Sequence, residues 1–328
     1  MFENQVQESF RKISSKENFK KEFCILTNKK HPREIYFEKG NRKSLEFIQV
    51  KFRTPKKSVL YFLIKIGLLQ NFLKKIKLDS TVGSVVFVGG QIKIFNLKKG
   101  CVYSYLTPNV DKKNFLRSKY LQKELGKRGF APRVFYINKE MPYSEEELLH
   151  PLHKFSDKLI FKKLLKYYSS FGFQKIDNLK YIKKIRKKIA QGKELNVFFF
   201  EILESLRKKK CPLLLVKSHG DFAKEQVLQK DNFLVFTDWN SSKDLIVSDL
   251  VSFFKGEENF LTNKSFLKLL KLYPTSVRKN IKLYLILNEI NLVSNNHLHT
   301  SLSTKRIKNL ISSKTNQSLK KRFLNKID

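Results

Sequence analysis

Between Ser84 and Leu106 the chain carries three short runs, SVVFV, QIKIFNL and CVYSYL, rich in β-branched and aromatic residues and separated by Gly89-Gly90 and Lys98-Lys99-Gly100. Strand-type runs joined by such short, glycine-bearing turns fold back on themselves as antiparallel hairpins. A helical stretch, Lys112 to Lys127, follows, and beyond Pro132 comes another strand-like run, RVFYIN. Residues 81–142 therefore read as a small lobe of sheet plus one helix.

From Tyr143 the pattern changes to a mainly helical one. SEEELLHPLHKF leads into SDKLIFKKLLKYY, whose apolar positions recur at helical spacing, and further helices are expected over Tyr181 to Ala190 and Val197 to Lys209. Strand-like segments return between Cys211 and Trp239 as PLLLV and NFLVFTDW, before helices resume to about Leu292. The expected organisation is an α+β chain with a helical lobe over 143–300 and a basic tail over 301–328.

The first 80 residues read as a basic extension. Pro32 to Val50 suggests short extended pieces around Lys39-Gly40-Asn41, and Pro55 opens a helix expected to run to about Lys77. Its apolar centre, Val59 to Leu73, is short for a membrane span and contains Lys65 and Gln70. A soluble amphipathic helix is the default reading, and a basic helix lying on a membrane surface is the sharper one. The leading residues MFENQVQESFRKISS lack an apolar stretch, so no secretory signal is expected. Cys24, Cys101 and Cys211 are widely spaced and outside any CxxC pattern, which suits reduced thiols in a cytoplasmic protein. His297 and His299 lie in a polar stretch that reads as a surface loop.

Charge narrows the partners. Lys plus Arg number 67 against 29 acidic residues, a formal net charge of +38. So positive a chain attracts nucleic acid, an acidic membrane face or phosphorylated molecules. An AT-rich genome also enriches lysine, but it does not explain why acidic residues failed to rise alongside.

The segment 215–250, LVKSHGDFAKEQVLQKDNFLVFTDWNSSKDLIVSDL, holds the chemistry. His219-Gly220-Asp221 follows an apolar run, Asp238-Trp239 ends a strand 17 residues later, and Asp249-Leu250 comes 11 residues after that. Phosphoryl transfer needs one carboxylate to take a hydroxyl proton and another, on a separate loop, to hold the metal that bridges the phosphates. A hairpin that starts after Asp221 and ends at Asp238 supplies two such groups.

This order of motifs resembles the aminoglycoside phosphotransferase and choline kinase-like family, relatives of the protein kinases. The resemblance spans roughly residues 82–295. It implies a protein-kinase-like two-lobed fold, with a small antiparallel-sheet N-lobe and a mainly helical C-lobe, and the use of ATP with Mg2+. It also implies that Asp221 is the catalytic base, that His219 orders its loop, that Asp238 is a metal ligand and that Asp249 is a structural anchor. The family's second metal ligand is an Asn five residues after the base; here Gln226 stands there. Its phosphate-gripping Lys on the third strand is replaced by Ser104, and the partner Glu on the next helix falls near Ser118 and Lys119. Loss of both partners together is chemically coherent, since either alone leaves an unpaired charge. Lys93, on the neighbouring strand, is then the candidate nucleotide-binding lysine.

The reading that follows is a phosphotransferase moving the terminal phosphate of ATP to a hydroxyl of a small-molecule, sugar or glycolipid-type acceptor. So basic a chain suits an anionic or glycan acceptor better than a cationic one. The alternatives are a pseudo-enzyme with a kinase-like fold and a basic protein that binds nucleic acid or a membrane surface. The expected location is cytoplasmic, with a peripheral place at the inner face of the membrane as its extension.

Overall fold

Period-two alternation with both faces apolar organises the first half of the molecule. In the computed structural model, residues 3–13, 20–28, 33–49, 55–79, 84–107, 110–151, 156–190, 197–207, 211–239, 242–295 and 300–312 are described. The first elements in chain order are α1 (Glu3–Ile13), β1 (Lys20–Asn28), β2 (Arg33–Glu38), α2 (Arg42–Ile48), α3 (Pro55–Lys65) and β3 (Lys74–Asp79). Then come β4 (Ser84–Val88), β5 (Gln91–Asn96), β6 (Cys101–Leu106), α4 (Lys112–Lys127), β7 (Val134–Asn138), β8 (Tyr143–Glu147) and β9 (His150–Pro151). Eight of these strands form one antiparallel sheet in the order β3-β1-β2-β4-β5-β6-β8-β7.

Neighbouring residues on one strand serve opposite cores. Phe23, Ile25, Tyr36, Val86, Ile92 and Ile94 pack on one face with Val6 of α1, while Cys24, Phe37 and Val85 pack on the other with Leu45 and Ile48 of α2 and Tyr61 and Ile64 of α3. A sheet covered on both faces buries nearly every residue of its central strands, which removes the polar half of the usual alternation. Asp111 starts α4 by accepting the N–H groups of Lys113 and Asn114. Late in α4, a Cβ on Gly126 would sit 2.9 Å from the Pro132 carbonyl oxygen, so only glycine lets the returning chain approach this closely.

The second half is mainly helical, as its apolar spacing predicts. It contains α5 (Asp157–Phe171), β10 (Gln174–Asp177), α6 (Asn178–Ala190), α7 (Val197–Leu206) and β11 (Pro212–Lys217). After the hairpin of β12 (Val227–Lys230) and β13 (Phe233–Phe236) come β14 (Lys243–Leu245), α8 (Ser248–Phe253), α9 (Lys264–Leu270), α10 (Thr275–Lys279), α11 (Ile281–Asn295) and α12 (Thr300–Ser312). The chain divides into two compact units, residues 1–153 with 227–239 and residues 154–226 with 240–328. The hairpin therefore belongs to the first unit, where β12 pairs with both β13 and β9.

The α+β class, with an antiparallel sheet first and helices after it, is the one expected. Four local readings differ. The N-terminal extension is not an appendage, because β1, β2 and β3 carry three of the eight strands. The helix opened at Pro55 does not run to Lys77: Gly67, at φ 86°, turns the chain, and Lys74–Asp79 form a strand beside β1. Tyr143–Glu147 is a strand paired with β6, not the start of a helical lobe. Of the expected tail, 301–312 lies in α12, whose Ile307 and Leu310 are buried; residues 313–328 lie outside the described residues, as do His297 and His299.

Candidate functional site

Asp249 gathers the first group of predicted residues. It sits in the first turn of α8, fully buried, and its Oδ2 accepts the backbone N–H of His219 at 2.7 Å and the Tyr168 hydroxyl at 2.7 Å. Its Oδ1 accepts the Gly220 N–H at 3.1 Å. One carboxylate thus holds the loop in which Gly220 takes φ 100°, a conformation that costs other residues but not glycine. Burial pushes the Asp249 carboxyl above its ordinary range, against the pull of His219 and of these three hydrogen bonds.

His219 is buried against Phe222, with ring centroids 5.3 Å apart, and Phe222 in turn meets Phe161 and Phe253. The next polar residue, Asp221, is exposed at the tip of the anchored turn. A carboxylate in water, on a loop fixed from beneath, can receive a proton from a bound hydroxyl. Gln226 turns its Oε1 back to the Ala223 N–H at 2.8 Å, closing the short 3-10 turn Lys224–Gln226.

The second group lies in the first unit. The hairpin is fixed there by the Phe236 N–H donating to the Phe130 carbonyl at 2.8 Å and by the Lys230–Glu147 ion pair at 2.6 Å. Beyond it, the Trp239 carbonyl accepts the Ser118 hydroxyl of α4 at 2.8 Å. Between these fixed points Asp238 adopts φ 60°, the left-handed region, which an aspartate tolerates better than most residues but still at a cost. Its side chain, 47 % exposed, forms an ion pair with Lys93 of β5.

Sheet register explains why Lys93 faces this way. Lys93 pairs with Ser104 of β6, and Ser104 pairs with Ser144 of β8, so the three share one row and one face. Two residues along β8, on that same face, lies Glu146. Its Oε1 accepts Lys119 Nζ of α4 at 2.6 Å and the Ser144 hydroxyl at 2.6 Å, and its Oε2 accepts Gln122 Nε2 at 2.7 Å. Both charged side chains are buried, Lys119 at 3 % exposure and Glu146 at 6 %.

This Lys119–Glu146 pair is what the sequence reading missed. A lysine on the helix and an acid on the strand stand where a strand lysine and a helix acid were sought. Burial pushes the Glu146 carboxyl up, but the charges of Lys119 and Lys93, with the hydrogen bonds from Lys119 and Ser144, outweigh it and hold the group at about 2. For Lys93, burial works to lower the ammonium's pKa, and the charges of Asp238 and Glu146 overcome this and raise it. The signal that could have found the pair is the alternation in Tyr-Ser-Glu-Glu-Glu, which places Ser144 and Glu146 on one side of a strand.

Asp238 offers the hard oxygen donor that magnesium takes, an ion commonly held by one or two carboxylates with substrate phosphates and water completing its shell. Gln226 Oε1 keeps a second lone pair beyond its bond to Ala223. Among the described residues, no group of three or more His, Cys, Asp or Glu gathers to hold a metal. A lone carboxylate such as that of Asp238 suits a metal shared with phosphate, not one caged by protein.

No family model and no curated protein sequence matches the chain. Solved structures do resemble it. A choline/ethanolamine kinase family protein from Mesorhizobium loti aligns with a TM-score of 0.46 and 14 % identity over 70 % of this chain and 86 % of that one. Choline kinase LicA from Streptococcus pneumoniae aligns with a TM-score of 0.46 and 16 % identity over 69 % and 91 %. A choline kinase from Cryptosporidium parvum aligns at 0.43 and 14 % identity over 74 % and 87 %.

Proposed function

We propose that the chain is an ATP- and magnesium-dependent phosphotransferase acting on a hydroxyl of a sugar or glycolipid-type acceptor. The observation that carries this is Lys93 reaching from β5 to the carboxylate of Asp238, because a lysine and a metal-competent aspartate held together is what a polyphosphate tail requires. The Asp249-anchored loop that presents Asp221 adds the proton acceptor. Asp221 takes the proton of the acceptor hydroxyl as its oxygen bonds to the terminal phosphorus and the bond to the bridging oxygen breaks, releasing ADP. Lys93 exchanges part of its contact with Asp238 for phosphate oxygens. Asp238 would hold magnesium, which when bound neutralises phosphate charge. The net charge of +38 favours an anionic acceptor, such as a phosphorylated sugar or a glycan carrying acidic groups.

The same ion pair favours one rival reading. If Lys93 keeps Asp238 for itself, the chain binds nucleotide without metal and transfers nothing. Thermal unfolding with ATP alone and with Mg-ATP, joined to an ADP-release assay over anionic sugar acceptors, separates the two. The proposal expects a rise in Tm that needs magnesium and vanishes in Asp238→Ala, and turnover that vanishes in Asp221→Asn. A rise indifferent to magnesium with no turnover supports the rival. No rise at all sinks both.

A further inference from the structure

The segment from α3 to β3 leaves large apolar side chains in water on one side while burying others opposite. Tyr61 and Ile64 of α3 are buried against the sheet, with Leu69 and Leu73 packed partly beside them. On the outer side Val59, Phe62, Ile66, Leu68 and Phe72 are all exposed, Phe62 at 58 % and Phe72 at 86 %. Val59, Phe62 and Ile66 fall three and seven residues apart, one stripe of a helix, and Leu68 and Phe72 extend it through the turn that follows.

That turn is held in place, so this exposure is built in. Gln70 is buried, donates its Nε2 to the Ile64 carbonyl at 2.8 Å and accepts the Gly40 N–H at 3.3 Å. The Ile66 N–H returns to the Phe62 carbonyl at 3.0 Å, and Gly67 at φ 86° redirects the chain. Exposed apolar stripes of this size on soluble domains mark an interaction surface.

Charge selects the partner. Residues 55–79 contain six lysines and a single acidic residue, Asp79. Lys65 is exposed beside the stripe, and Lys74, Lys75 and Lys77 are exposed just beyond it. A fixed apolar stripe rimmed by lysine matches a surface that is negative outside and apolar a few ångströms within. We infer that this stripe docks the protein on an anionic lipid bilayer, with Phe62 and Phe72 entering the boundary between headgroups and acyl chains. No described helix is long and apolar enough to cross a membrane, so the contact is superficial.

The test must separate docking by this stripe from general attraction of so basic a chain. The full chain carrying Phe72→Trp is mixed with vesicles of phosphatidylcholine, and with vesicles containing about a third phosphatidylglycerol. Trp239, the one native tryptophan, is buried and supplies a constant background. Docking predicts a blue shift and quenching by brominated acyl chains with the anionic vesicles only. It also predicts that Phe62→Ser/Phe72→Ser reduces pelleting at least tenfold at 0.3 M salt (about twice physiological ionic strength), where charge alone is screened. Unchanged Trp239 emission and helical signal in the double variant show that the fold is intact. Equal pelleting of the variant, or no shift in emission, overturns the inference. So does a native mass that rises with concentration and drops in the double variant, since a second copy then covers the stripe.

Discussion

Glu146→Gln should be among the most damaging shape-preserving substitutions in the first unit. The carboxylate lies 2.6 Å from Lys119 Nζ, with both side chains almost wholly out of water. Removing its charge leaves the Lys119 ammonium buried without the carboxylate it pairs with. Breaking one side of a buried pair costs about 3–5 kcal/mol. Lys119→Met should cost less, about 2 kcal/mol, because Glu146 keeps hydrogen bonds from Ser144 and Gln122 and the field of Lys93. The double variant has no stranded charge and should lie within about 1 kcal/mol of the native chain. The predicted coupling is therefore about 4 kcal/mol or more, above the usual range for residues in contact. Trp239 suits the assay because it is buried in this unit and its carbonyl is bonded to Ser118, the residue before Lys119. In urea followed by its emission, Glu146→Gln should move the midpoint down by about 2 M, taking a slope of about 2 kcal/mol per molar. Two small, additive single effects would refute the claim that this pair is a matched buried charge.

Further outcomes follow from the same geometry. With Glu146 held at about 2 instead of its ordinary 4.5, its contribution is complete above about pH 4.5 and is lost as pH falls towards 2; acid unfolding read by Trp239 should lose about 3 kcal/mol over that window, and Glu146→Gln should flatten the limb. Arg306→Ala should cost about 3–5 kcal/mol by circular dichroism melts, since Arg306 is buried, pairs with Glu289 at 3.1 Å and donates to the carbonyls of Lys255 and Glu257. Gly126→Ala should lower Tm by an amount equivalent to about 1–3 kcal/mol, because the 2.9 Å approach is to backbone and the gain in helix propensity is smaller than the clash. Asp249→Ala strands the N–H groups of His219 and Gly220, about 1–3 kcal/mol each, and should abolish any ADP release while leaving the Trp239 transition in place.

The parts of the fold that were legible are those where apolar periodicity and turn chemistry agree. SVVFV, QIKIFN and CVYSYL became β4, β5 and β6 because valine, isoleucine and the aromatics fill both sides of a covered sheet. β3 was misread because LKKIKLD satisfies two periods: Ile76 and Leu78 turn inward between exposed lysines, yet the run also continues a basic helix. Gly67 was the punctuation that should have decided it, since a glycine just past the last residues of a helix, here two after Lys65, marks its end. The tail reading of 301–312 failed for a related reason. Its inward stripe, Ser303, Arg306, Ile307 and Leu310, is half polar, and Arg306 is buried because Glu289 of α11 and the Lys255 and Glu257 carbonyls receive it.

The candidate site divides along the same line. Asp221, Asp238 and Asp249 stood out because their spacing is local and each borders an apolar run. Lys119 and Glu146 did not, because a buried ion pair erases the very periodicity that locates strands and helices: β8 turns Ser144 and Glu146 inward, where strands ordinarily place apolar residues. The pairing logic nonetheless constrains what the absences mean. A serine at position 104, and Ser118 and Lys119 where a helix acid was sought, would leave Lys93 and Lys119 as two like charges over one sheet face. Glu146 and Asp238 supply one carboxylate for each, so the four side chains are neutral as a set. An anion that approaches this face must therefore displace Asp238 from Lys93 or bring its own cation. Glu146, buried and held by three partners, is not available for that exchange. The balance favours Lys93–Asp238, whose aspartate is half exposed and on a strained backbone, as the pair an anion would open, and Lys119–Glu146 as the pair that would hold strand and helix meanwhile.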